Sequence, residues 1–254
     1  MSLASADRKR LMKLKNRQGR KKSSDFICEG WRCCRELITA KPQWIDRVYY
    51  HDELDEPLIS DCRSLNITPV KLEYGEFKEI SQTDHPQGIL ILGHHLDETN
   101  EQLNAPLMTL VLSGISDPGN LGTICRSAWA VGNVQLIMIK GCCDLFEAKA
   151  IRAGMGAQFN ICLTQLDGVE DCFKYAEDRH INTIYFTHVE GGEMLYDDSL
   201  HLQNTMVVMG NETSGLAVDE RAIRLHIPMP GKSESLNVAQ AANLILFETL
   251  RRSL

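Results

Sequence analysis

The sequence predicts an α/β protein, and three observations point to it. From residue 106 onward, short apolar runs alternate with segments of helical periodicity, the pattern of a parallel sheet with helices on both faces. The chain ends in an amphipathic stretch from about Asn237, in which Val238, Ala241, Ala242, Ile245, Leu246 and Leu250 share one face. Ahead of residue 106 a smaller mixture of helix and strand patterns is set off by the polar stretch 94–106, which reads as a linker. The expected division is therefore a small α/β module at 1–97 and a larger one at 106–254.

Residues 5–17 read as a basic helix whose few apolar positions are Leu11 and Leu14, and 30–40 as a second helix. A short strand is expected around 48–50, with strand-like runs at 67–72 and 88–92. In the larger module, apolar runs at Met108–Leu112, Val134–Ile139, 159–163, 183–187 and Met206–Met209 are expected to be parallel strands. Strands covered on both faces have no polar side to present, so they read as continuous apolar runs. Helices fit between them at 121–131, 146–154 and 169–178.

Composition narrows the function classes. The 254 residues are 43% hydrophobic and 24% charged, the balance of an ordinary globular protein. No apolar run approaches the roughly 20 residues that span a bilayer, and the N-terminal stretch lacks the apolar core of a secretory signal. A cytoplasmic location without a membrane partner is expected. The nine cysteines, 28, 33, 34, 62, 125, 142, 143, 162 and 172, are odd in number and lack C-x-x-C spacing. They are expected to be reduced apolar fillers, with neither a disulfide framework nor a metal site. The net charge of −7 hides an asymmetry: residues 1–22 hold nine Lys and Arg against Asp7, a local +8, which leaves −15 for the rest. The nine are Arg8, Lys9, Arg10, Lys13, Lys15, Arg17, Arg20, Lys21 and Lys22. A basic arm on an acidic body suits local contact with phosphates, although a solubilising tail has the same composition.

Ligands of open parallel sheets bind beyond the carboxyl ends of the strands, which directs attention to three loops. The first is Ser116-Asp-Pro-Gly-Asn-Leu-Gly-Thr-Ile-Cys-Arg126, after the 108–112 run. Pro118 and Gly119 force a turn, Asn120 sits where a helix begins, and Arg126 falls between one and two turns further on. A guanidinium there can hold a phosphate through two parallel hydrogen bonds; a capping Asn and a surface Arg would leave the same pattern. The second loop, Met209-Gly-Asn-Glu-Thr-Ser-Gly-Leu216, places Gly210 and Gly215 where a backbone can turn tightly against a ligand, with Glu212 as an acceptor between them. The third, Ile227-Pro-Met-Pro-Gly-Lys-Ser-Glu-Ser-Leu-Asn-Val238, ends with Ser235 and Asn237, either of which can cap the final helix.

Taken together and in order, these loops resemble the signature motifs of the SpoU (TrmH-like) RNA ribose methyltransferases of the SPOUT superfamily. N-x-G-x-x-x-R matches Asn120, Gly122 and Arg126; G-x-E-x-x-G-L matches Gly210, Glu212, Gly215 and Leu216; P-M-x-G-x-x-x-S-L-N-V matches Pro228 through Val238. The segment Lys149-Ala-Ile-Arg-Ala-Gly-Met-Gly-Ala157 is similar to one that the family often carries there. One departure is Ser127, where the family pattern has Thr; both are small hydroxyl residues. In the front module, Phe26-x-x-Glu29-Gly30 and His85-Pro-Gln-Gly88 are similar to the substrate-binding domain that many such enzymes carry.

The resemblance implies a C-terminal parallel α/β domain closed by a deep trefoil knot, S-adenosylmethionine as cofactor, and a homodimer formed through the knotted domain. It implies a cofactor pocket from Thr187, His188, Met209, Gly210, Glu212, Ile227, Met229, Ser235, Leu236 and Asn237. It also implies methylation of a ribose 2′-hydroxyl in RNA, with Arg126 engaging the hydroxyl and the adjacent phosphate while Asn120, Glu212, Ser235 and Asn237 position the groups. Because a sulfonium methyl is already electrophilic, the protein's task is alignment and polarisation, with no metal required. The front module and basic arm imply RNA as partner. Ribosomal RNA is the expected substrate, transfer RNA is its rival within the family, and an RNA-binding assembly factor without catalysis is the alternative outside it. A dinucleotide oxidoreductase has no support, since no G-x-G-x-x-G opens a helix after a strand.

Overall fold

The computed structural model describes residues 3–20, 23–95, 102–211 and 215–254, apart from the side chain of Arg17. The chain forms two compact units, Met1–Glu98 with Asp144–Asn160, and Thr99–Cys143 with Ile161–Leu254.

The first unit contains α1 (Ser5–Leu14), α2 (Arg17–Arg20), β1 (Asp25–Glu29), α3 (Trp31–Ala40), β2 (Ile45–Tyr50), α4 (Glu56–Ser64), β3 (Val70–Lys71), α5 (Tyr74–Ile80), β4 (Ile89–His94) and, from further along the chain, α7 (Ala148–Gly154). Its mixed sheet has the order β1-β4-β2-β3, with β4 antiparallel to β1 and β2, and β2 parallel to β3. Leu11 and Leu14, three residues apart on α1, enter a core with Ile27, Tyr49, Phe77, Ile80, Leu90 and Leu92. From Leu3 to Arg20 the basic N-terminal segment is thus part of the fold, and ion pairs fix it. Arg10 bridges Asp25 and Asp46 at 3.0 and 2.5 Å, and the 8% exposed Arg20 grips Asp144 and Glu147 at 3.1 and 2.8 Å. Tyr49 donates its hydroxyl to Asp7 at 2.7 Å.

A second cluster packs Phe26 against Phe146, Phe159 and Trp44, with ring centroids 5.4, 5.8 and 6.3 Å away. Phe26 pairs with Gly93 across the β1–β4 ladder, and its ring fills the space that a Cβ on residue 93 would take. The same cluster explains a shift in the chain. The run 159–163 reads as a strand, yet Phe159 is held in a 3-10 turn at Ala157–Phe159, and the strand begins three residues later.

The second unit contains β5 (Met108–Leu112), α6 (Pro118–Val131), β6 (Val134–Ile139), β7 (Cys162–Leu166), α8 (Glu170–Asp178), β8 (Ile184–Thr187), β9 (Glu193–Met194), β10 (Met206–Met209), β11 (Ile223–His226) and α9 (Val238–Ser253). Its seven strands run in the order β7-β6-β5-β10-β8-β11-β9, every pairing parallel. β5, β6 and β10 are buried at every residue, which is why they read as nearly continuous apolar runs, broken by Thr109 in β5 and Gln135 in β6. Neighbouring β5 and β10 divide the sheet: β6 and β7 extend it on one side, β8, β11 and β9 on the other. The carboxyl ends beside such a division are where an open sheet leaves a crevice.

Six elements lie outside the expected pattern: α2, β1, α4, α5, β9 and β11. The 67–72 run supplies only the two-residue β3, and of the expected linker His94 belongs to β4 while 96–101 lie outside the described residues.

Gly93 yields a test of the aromatic cluster. A Cβ there would stand 2.3 Å from the Phe26 ring, so Gly93→Ala is expected to destabilise the protein by about 1–3 kcal/mol, the usual cost of overpacking. Urea unfolding checks this, and a midpoint equal to wild type would contradict the packing described.

Candidate active site

At the start of α6, the Asp117 carboxylate accepts a hydrogen bond from the Asn120 backbone N–H at 2.9 Å, and Pro118 occupies the first turn. Asp117 is therefore the cap, and the Asn120 side chain is left for other work. Its Oδ1 accepts from Asn237 Nδ2 at 3.0 Å. The other end of the Asn237 amide caps α9, Oδ1 accepting from the N–H groups of Ala239 and Gln240 at 2.9 and 3.3 Å. One side chain thus ends the third loop, starts the last helix and fastens both to the first loop.

Beyond the carboxyl ends of β8, β10 and β11 lies a cavity of about 380 Å³, within the size range of small-molecule sites. Thr187, His188 and Val189 line it after β8, and Met209, Gly210 and Asn211 after β10. Gly215 and Leu216 follow, then Leu225, Ile227 and Met229 around β11, and Ser235, Leu236, Val238, Ala241 and Ile245 on the far side. Gly210 is required: a Cβ would stand 2.7 Å from the Gly215 carbonyl carbon and 3.0 Å from Leu216. Thr187 donates its hydroxyl to the Val208 carbonyl at 3.3 Å. Burial, and after it the charge of Arg224, lowers the His188 pKa, so the ring is neutral at pH 7. Its enclosed Nε2 has no partner among the described residues, which fits a wall built to meet a polar ligand group.

The structure brings eight of the expected pocket residues to this one cavity: Thr187, His188, Met209, Gly210, Ile227, Met229, Ser235 and Leu236. Asn237 stands beside the lining, joined to Asn120, and Glu212 lies outside the described residues. Arg126 is exposed on α6, and no hydrogen bond links it to the asparagine pair among the described residues. Ser235 is also exposed, its carbonyl accepting the Ser233 hydroxyl at 2.8 Å. Sequence reasoning missed Val189, Asn211 and Leu225, which carry no motif signal. It also missed Val238, Ala241 and Ile245, whose apolar period reads as a core face.

Of the basic residues proposed to meet RNA, Lys9 and Lys13 are exposed. Arg8 pairs with Glu79 at 3.3 Å and Lys15 donates to the Glu79 carbonyl at 2.5 Å. Arg10 and Arg20 are held in the ion pairs above. Lys21, Lys22 and the Arg17 side chain lie outside the described residues.

Residues 107–247 match the SpoU rRNA Methylase family, and residues 8–91 match the MRM3-like substrate binding domain. The chain is 27% identical to a 23S rRNA guanosine 2′-O-methyltransferase of Bacillus subtilis over 92% of both chains. It is 28% identical to the human mitochondrial rRNA methyltransferase 3, over 94% of this chain and 70% of that one. Among solved structures, an AdoMet-bound rRNA methyltransferase from Sinorhizobium meliloti superposes with a TM-score of 0.83 at 25% identity, covering 100% of this chain and 98% of that one.

The asparagine join is testable by a double-mutant cycle. Asn237→Ala is expected to cost about 1 kcal/mol from the lost cap alone, and Asn237→Asp to retain the cap while losing the donor. Combining Asn237→Ala with Asn120→Ala should reveal a coupling of about 0.5–1.5 kcal/mol in urea unfolding; strictly additive effects would show that the bond does not form.

Proposed function

The chain belongs to the SpoU rRNA methylase family, and from that premise we propose that it transfers a methyl group from S-adenosylmethionine to a ribose 2′-hydroxyl of ribosomal RNA. The observation that carries the proposal is the convergence of three motif loops: eight expected pocket residues line one cavity, and the Asn120–Asn237 bond ties the remaining loop beside it. Ribosomal RNA is preferred to transfer RNA because residues 8–91 match a substrate-binding domain in addition to the methylase region.

The cavity suits a nucleoside-bearing ligand. Met209, Leu216, Ile227, Met229 and Leu236 give an apolar slot for a purine, and the neutral His188 and the backbone around Gly210 offer polar groups at its rim. When bound there, S-adenosylmethionine supplies an electrophilic sulfonium methyl. The protein's own residues then have to place and polarise a weak nucleophile. Arg126 holds the 2′-hydroxyl and the neighbouring phosphate. Asn120 and Asn237, fixed to each other, set the ribose against the methyl, with Ser235 beside them and Glu212 steadying the constellation.

The proposal extends to architecture. Residues 1–97 serve as the RNA-binding module and 106–254 as the catalytic one, whose loops form the trefoil knot. A second copy covers the face where Leu244 and Phe247 of α9 stand 38% and 45% exposed beside Tyr196, a patch of the kind that marks interfaces. No described helix is long and apolar enough to cross a membrane, and a cytoplasmic location is part of the same proposal.

Two outcomes follow. With radiolabelled donor and ribosomal RNA, Arg126→Ala is expected to lower transfer at least 100-fold, the low end of what a positioned catalytic group contributes, while donor affinity by calorimetry stays at the wild-type value; retained turnover would remove Arg126 from the mechanism. Lys9→Gln with Lys13→Gln is expected to weaken RNA binding and to flatten its salt dependence by about two counterions. Substitution is the proper test of this arm, because truncation would take Leu11 and Leu14 out of the core.

A further inference from the structure

The stretch 113–117, which leads from β5 into α6, is held from both flanks. On one flank the Ile115 carbonyl accepts from the Cys143 N–H at 2.7 Å, and Ile115 is itself buried. On the other, the Ser113 N–H donates to the Met209 carbonyl at 2.9 Å. That bond carries the β5–β10 pairing past the end of β5 and sets the start of the first loop beside the start of the second.

The next residue along makes a closer contact. Gly114 has φ +71°, and a Cβ on it would lie 3.1 Å from Asn211 Nδ2, 3.6 Å from Asn211 Cβ and 3.7 Å from Asn211 Cγ. The Asn211 side chain therefore lies along the space that any larger residue at 114 would enter, with its amide nearest. Glycine serves twice here, since it adopts the left-handed backbone without strain and leaves room for the amide. The Asn211 backbone is engaged as well: its carbonyl accepts from the Gly215 N–H at 3.1 Å, joining the two described ends of the second loop. Asn211 also lines the cavity. One residue thus walls the cavity and rests on the approach to α6.

The consequence is one of alignment. In the proposed reaction the donor sits among the second and third loops, whereas Asn120 and Arg126, which meet the ribose, follow from the first. The Asn120–Asn237 bond ties the first loop to the third. Asn211 on Gly114 ties the first loop to the second, three residues ahead of the Asp117 cap. A misplacement of an ångström between nucleophile and methyl is costly in rate, even when both partners are bound.

We propose that Asn211 is a positioning residue for methyl transfer: packed on Gly114, it sets the approach to α6, and with it Asn120 and Arg126, against the donor cavity. This inference rests on the methyltransferase reading and adds to it a second tie between the donor loops and the substrate loop.

The test is steady-state transfer by the full chain, with radiolabelled donor varied over a saturating, unmethylated large-subunit ribosomal RNA transcribed in vitro, alongside urea unfolding. Asn211→Ala is expected to lower kcat about ten-fold, as a shift of less than an ångström would, with the donor KM close to wild type. Gly114→Ala, which drives a methyl group against the amide, is expected to lower kcat as well. In the Asn211→Ala background the same Gly114→Ala change should cost less, because the group it collides with is gone and only the backbone strain remains. An equal cost in both backgrounds would overturn the contact. Wild-type kcat in Asn211→Ala would overturn the role, as would a defect confined to the donor KM, which would make Asn211 a cavity wall only, or one confined to the unfolding midpoint. If Gly114→Ala fails to fold, Asn211→Ala decides alone through the split between kcat and KM. Absence of transfer by the wild type would sink the methyltransferase proposal and this inference together; transfer by the wild type with an unimpaired Asn211→Ala would sink this inference alone.

Discussion

A parallel sheet delivers its loops to one edge, but it does not hold them there. In this protein the holding is done in large part by the amide of Asn237, whose oxygen caps α9 through two backbone donors while its nitrogen reaches the Asn120 side chain. Both ends of the group are used, so the amide has one orientation, and the loop before α9 has one place to finish. That place is the edge of a cavity whose other walls come from the ends of β8, β10 and β11. Asp117 makes this possible by capping α6 itself, which leaves Asn120 available.

The first unit shows the same economy of charge. A run of basic residues at the N-terminus would by composition suit a flexible arm, yet α1 spends Leu11 and Leu14 on the core and Arg10 on two aspartates. Arg20 goes further, its own side chain buried while it pairs with Asp144 and Glu147. The cations that remain for an anionic partner are therefore fewer than the count suggests, and their position on folded elements, as with Lys9 and Lys13, sets which surface meets the ligand. A charge held on a helix contributes to recognition with less ordering cost than the same charge on a tail.

Much of this was legible in the sequence where one physical signal dominates. Fully buried parallel strands have no alternation to obscure them, and β5, β6 and β10 were readable to the residue. Met209, Gly210, Ile227, Met229, Ser235 and Leu236 were expected at the cavity from the family resemblance, and Thr187 and His188 from their place after a strand. Elements with mixed demands were not legible: β1 carries acids at both ends, β11 is exposed at Ile223 and Arg224, and β9 is two residues long. The start of β7 was misplaced because Phe159 packs with Phe26, a partner more than a hundred residues away that no local pattern reveals. For the same reason Val238, Ala241 and Ile245 look like core and turn out to wall the cavity. The capping role of Asn237 was open from its position before an amphipathic helix; its second bond, to Asn120, depends on two loops meeting and could be seen only in three dimensions.

The most direct measurement is a crystal structure of the protein with S-adenosylmethionine bound. The account predicts the adenosine part of the donor in the cavity between the ends of β8, β10 and β11, against Leu236 and His188, with the methyl turned toward the Asn120–Asn237 pair. Donor density at any other place, or the two asparagines apart on separate surfaces, would contradict it.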